Sequence, residues 1–108
     1  MKKPPTRVYC LFRTSLQTGH VYGILTEVPA DPQGDFCKVY YIGEGDVLTP
    51  KAMTHNFPHS RIATPEEACV LRDRMAEAGI EVYPVLRMTR AMHLTRRMRA
   101  TKPQTAIE

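Results

Sequence analysis

The sequence predicts a single α+β domain of order β-β-β-α-β. One amphipathic helix packs on a mainly antiparallel sheet, and a short basic helix follows at the C-terminal end. Three observations carry this expectation. Three short runs rich in tyrosine, valine and isoleucine occupy the first 42 residues and suit a pleated surface. A segment with helical start and stop signals spans Thr64 to Gly79. A further apolar run begins directly after that glycine, so the helix has to fold back onto the sheet.

Taken in order, Arg7–Arg13 reads as the first strand, and Ser15–Gly19 as a hairpin loop in which Gly19 takes the left-handed conformation. His20–Val28 returns as the second strand, with Val21, Gly23 and Leu25 on one face and Tyr22, Ile24 and Thr26 on the other. The Pro29–Gly34 stretch breaks the chain by composition, and Cys37–Ile42 forms the third strand. Periodicity is lost from Gly43 to Thr64, longer than a usual connection. Thr49 as a cap and Pro50 at a first helical position predict one helical turn inside it. Thr64-Pro-Glu-Glu67 then combines an N-cap threonine, a first-position proline and a glutamate three residues on. Ala68, Leu71, Met75 and Ala78 recur at helical spacing. Ile80–Arg87 is the fourth strand, with Pro84 marking an edge or a bulge. Met88, Met92, Thr95 and Met98 fall on one face of a helix from about 89 to 100, and arginines crowd the other. Residues 1–100 form the domain in this reading, and 101–108 a polar tail.

The length of 108 residues suits one core. At 43% apolar and 24% charged, the chain has a globular composition. No apolar run is long enough to span a bilayer, and no apolar stretch follows the basic start, against a secretory leader. Three separated cysteines, Cys10, Cys37 and Cys69, argue against a disulfide framework and for a reducing, cytoplasmic setting. All three are expected to be buried, inert thiols.

The net charge of +4 conceals an uneven distribution. Residues 1–26 carry four cations and no acid, and residues 27–81 carry ten acids and five cations. Between Val82 and Ile107 stand Arg87, Arg90, Arg96, Arg97, Arg99 and Lys102 with no acid at all. That segment is the candidate binding surface, with Met92 as a soft apolar anchor among the cations.

No complete catalytic set is visible, and no metal or other cofactor is implied. His55 and His59 form a single H-x3-H pair interrupted by Pro58, whereas zinc sites bring their ligands in close pairs. Glu66 and Glu67 are explained by helix capping and the helix dipole, and Glu44 and Asp46 lack a defined partner.

Tyr40-Tyr41-Ile42-Gly43, with Val8-Tyr9 and Val21-Tyr22-Gly23 upstream, resembles fragments of the GIY-YIG nuclease motif. The resemblance implies tyrosines on two short strands, with a helical arginine and a later glutamate completing a metal-dependent DNA-cleaving site. It covers about a third of the chain and stops at the tyrosines. No arginine follows Gly43 before Arg61, and Glu66 or Glu67 would have to be the metal ligand.

The reading of function is therefore a small non-catalytic protein that binds a macromolecule, of the accessory or inhibitor type found on phages and plasmids. A protein partner is favoured, because tyrosine, methionine and arginine anchor interfaces well, and the methionines also suit a homodimer seam. The alternative is nucleic-acid binding through residues 87–102, with strand tyrosines stacking bases. A divergent GIY-YIG-like or metal-dependent nuclease around Tyr41, Glu44, His55 and His59 is the third reading.

Overall fold

The structure is a computed structural model that describes residues 6–54 and 57–105. Its elements run β1 (Thr6–Ser15), β2 (Val21–Pro29), β3 (Phe36–Ile42), a 3-10 turn (Glu44–Asp46), β4 (Leu48–Thr54), β5 (Ser60–Ile62), α1 (Pro65–Glu77), β6 (Ile80–Val85) and α2 (Arg90–Thr105). The six strands make one sheet in which β4, β3, β2 and β1 are successive antiparallel neighbours. The outer edge of β1 is shared end to end. Antiparallel β5 takes Arg13–Ser15, and parallel β6 takes Thr6–Leu11. This is the expected α+β domain, enlarged by two strands.

Both extra strands lie in the stretch where periodicity is lost. The helical turn expected at Thr49-Pro50 is instead part of β4, where Pro50 stands opposite Tyr40 on an edge strand. A proline is tolerated there because an edge strand leaves half its amides without ladder partners. The Thr49 hydroxyl donates to the Val47 carbonyl rather than capping a helix.

The α1 boundaries follow the sequence signals. Thr64 accepts from the Glu67 amide, and the Glu67 carboxylate accepts from the Thr64 amide, which closes a capping box. Leu71 and Met75 point into a core formed with Cys10, Phe12, Leu25 and Val82. The helix can approach this closely because β2 carries Gly23 below it. A β-carbon there would stand 3.1 Å from Cys10 Sγ and 3.3 Å from both Leu71 Cδ2 and Met75 Sδ.

The opposite face of the sheet buries Leu11, Tyr22, Ile24, Cys37 and Val39, with Met88 packed against them. Here α2 lies over β2. It continues to Thr105, past the expected end near residue 100, since no glycine stops it.

The seat of α2 is a discontinuity in the sheet. Pairing of β2 with β3 jumps from Leu25–Lys38 to Pro29–Cys37, so Thr26, Glu27 and Val28 have no opposite residue. Such a bulge leaves carbonyls without ladder donors, and arginines of α2 supply them. Arg96 Nη1 donates to Thr26 O (3.0 Å), its Nε to Gly34 O (2.8 Å), and Arg99 Nη1 to Glu27 O (3.2 Å). Arg96 is 1% exposed. Gly34 completes the fit. Its φ of +77° is in the left-handed region, and a β-carbon there would stand 2.9 Å from Arg97 Cα.

Arg96→Met keeps much of the buried volume but orphans two carbonyls, at about 1–3 kcal/mol each. Urea unfolding should show a loss of about 2–5 kcal/mol, and a loss below 1 kcal/mol would disprove the anchoring role.

Glu67 gives a pH prediction. Bidentate pairing with Arg61 (2.9 and 2.8 Å), together with the Thr64 amide and the Thr14 hydroxyl, lowers its pKa from 4.5 to about 2. A depressed carboxylate contributes stability above its unfolded pKa and loses it as the pH falls through the folded one. Thermal stability should therefore drop between about pH 4.5 and 2, and Glu67→Gln should flatten that part of the profile.

Candidate functional site

Three of the six cations of the 87–102 segment, Arg96, Arg97 and Arg99, are already engaged. Arg96 and Met92 are buried, so both leave the surface set proposed from sequence. Arg97 lies 3.7 Å from Asp35, and Arg99 lies 3.8 Å from Glu27. These acids come from the middle of the chain, so the charge separation along the sequence is partly cancelled in space. Arg87 and Arg90 are exposed, and neither has an ion-pair partner among the described residues. The Lys102 side chain lies outside the described residues.

A second basic surface, which the sequence reading did not single out, lies on the α2 side of the sheet beyond the helix. Strand alternation builds it. Arg13 on β1 stands directly opposite Tyr22 on β2, and the Tyr22 ring meets that of Tyr41 on β3 at 5.2 Å between centroids. Phe57 closes on Tyr22 at 5.4 Å, and His20 on Tyr41 at 5.8 Å. The edge strand β4 adds Lys51, whose Nζ stands 5.8 Å from the Tyr22 ring and 6.0 Å from that of Tyr41, within cation–π range. Tyr22 is buried as the floor, Tyr41 and Phe57 are half-buried, and His20 and Lys51 are exposed.

Arg13 is held rather than loose. Its Nε donates to Ser60 Oγ and its Nη2 to Ser60 O, both at 2.7 Å, while the serine hydroxyl donates to Phe57 O. Beside it, Arg13, Phe57 and Arg87 line a recess of about 340 Å³. Neither Arg13 nor Lys51 has a carboxylate partner among the described residues.

The remaining tyrosines lie elsewhere. Tyr40 faces the α1 core, and Tyr9 and Tyr83 form a separate exposed pair 6.2 Å apart. Of the two glutamates that the nuclease resemblance offers as metal ligand, Glu67 binds Arg61 and caps α1. Asp46, noted beside Glu44 in the sequence, pairs with Arg74 at 3.2 Å. His55 lies outside the described residues. Among the described residues, no group of three or more His, Cys, Asp or Glu side chains is placed to hold a metal ion.

An apolar cleft of about 380 Å³ opens at the edge where β5 and β6 part, floored by Phe12 and Ala63 with Leu86 at its lip. Cys69 lines it and is exposed, which corrects the expectation of a buried thiol. It lies on the outward part of α1, beside Val70, while Leu71 takes the inward position. Cys10 and Cys37 are buried, and burial raises the pKa of both thiols.

No family model matches the sequence, no curated protein is similar to it, and no solved structure matches its fold.

Titration of the native protein with a disulfide thiol reagent should modify one cysteine rapidly, and Cys69→Ser should abolish that fast phase. Two or more fast thiols would contradict the burial of Cys10 and Cys37.

Proposed function

We propose that the protein binds single-stranded nucleic acid on the ring shelf of His20, Tyr41 and Phe57, with buried Tyr22 as its floor. The observation that carries this reading is the shelf itself: packed rings bordered by Lys51 and Arg13, neither paired with a carboxylate among the described residues. Ring faces stack on bases of any sequence, and adjacent cations meet the phosphates between them. The reading keeps the tyrosine-stacking element of the sequence expectation and moves the cationic footprint from α2 to the sheet.

A protein partner is the second reading, favoured by the apolar cleft at the split edge. Leu86 is 76% exposed at its lip, an anchor suited to a partner's apolar side chain. Cys69→Glu, which places a charge in the cleft and touches neither the ring shelf nor the recess beside Arg13, would abolish capture of such a partner while leaving nucleic-acid binding unchanged.

Fluorescence anisotropy with a short labelled single strand tests the first reading. Stacking is worth about 1–3 kcal/mol per base, so Tyr41→Ala should weaken binding by about fivefold or more. Two phosphate contacts predict a slope of log K against log salt of about −1.4, which Lys51→Ala should roughly halve. No binding at low salt, or binding indifferent to both substitutions, would defeat the reading.

A further inference from the structure

We propose that the recess between Arg13 and Arg87 holds the terminal phosphate monoester of the strand carried on the ring shelf, so that the protein recognises a phosphorylated end. The inference rests on the nucleic-acid reading of that shelf and adds to it the chemical class of the end group.

Three features support it. Arg13 and Arg87 both line the recess, and among the described residues neither is neutralised by a carboxylate. The two Ser60 bonds use Nε and Nη2 of Arg13 and fix the guanidinium in place, and Nη1 makes no hydrogen bond among the described residues. A phosphodiester carries one negative charge, whereas a phosphate monoester approaches two near neutral pH. Two guanidiniums at one recess match the dianion, and guanidinium binds phosphate with paired, charge-assisted hydrogen bonds.

The rest of the lining is apolar. Leu11 lies below, and Pro58, Leu86 and Met88 supply other walls. None of these side chains offers a hydrogen-bond donor to a continuing backbone. Phe57 belongs to both places, lining the recess and packing against Tyr22 on the shelf. A strand with its first base on the Phe57 side of the shelf would therefore direct its end group at the two arginines.

The test uses the full chain and a six-nucleotide oligothymidylate in three forms, with a 5′ phosphate, a 3′ phosphate or neither. One phosphorylated form should bind about tenfold more tightly than the unphosphorylated one, and its identity fixes the polarity of the strand. Arg87→Gln should erase that preference while leaving the affinity for the unphosphorylated strand within about twofold. Arg87 is exposed, so its substitution spares the fold. Tyr41→Ala should weaken all three forms alike. Equal binding of the three forms by the wild-type protein overturns the end-recognition proposal and leaves the shelf reading standing. No binding of any form at low salt overturns the shelf reading and the recess proposal with it. A phosphoserine peptide that binds as tightly as the preferred strand, in an Arg87-dependent manner, overturns the assignment to nucleic acid.

Discussion

A guanidinium with no carboxylate partner among the described residues lies between α2 and the sheet, and the arrangement of the second face depends on it. Burying an unpaired ion is ordinarily prohibitive, yet Arg96 is accommodated because the bulge in β2 and the loop after it each turn a backbone carbonyl toward it. The carbonyls of Thr26 and Gly34 and Nδ1 of His93 surround its nitrogens at 2.8–3.0 Å. The dependence is mutual. Without the bulge the arginine would lose the Thr26 acceptor and keep only the loop carbonyl of Gly34 and the His93 ring, and without the arginine the bulge would leave a carbonyl unsatisfied beneath a helix.

That arrangement also determines which cations remain for a ligand. Arg97 and Arg99 flank the anchor and are drawn to Asp35 and Glu27 near the same loop. The most basic stretch of the chain thus serves largely to fasten a helix. Arg13 comes from the acid-free first 26 residues and Lys51 from the acidic middle, and they converge beyond the helix, where the sheet presents rings. Charge counted along a chain and charge counted over a surface are different quantities, and here they favour different ligand sites.

Local signals made the elements with short-range patterns legible. The capping box at Thr64, the stripe through Leu71 and Met75 and the alternation in β2 each depend on neighbours a few residues apart. What could not be read depends on distant pairing. Nothing local to Thr49-Pro50 shows that β3 is present to accept an edge strand. Nothing local to Arg96 shows that residues 26–28 bulge 70 positions earlier. The ring shelf lies between these cases. Alternation already put Tyr22 on the face opposite Gly23, but its meeting with Tyr41, Phe57 and Lys51 required the register of three strands and a loop.

The fastening of α2 has a consequence for the thiol beneath it. Cys37 is fully buried on the face that α2 covers, and Arg96 is near enough to favour its thiolate against the effect of burial. Whenever the helix lifts, that sulfur would meet water while the rest of the sheet remains paired. Labelling of Cys37, slower than that of exposed Cys69, therefore reports how often this face of the sheet becomes open to solvent.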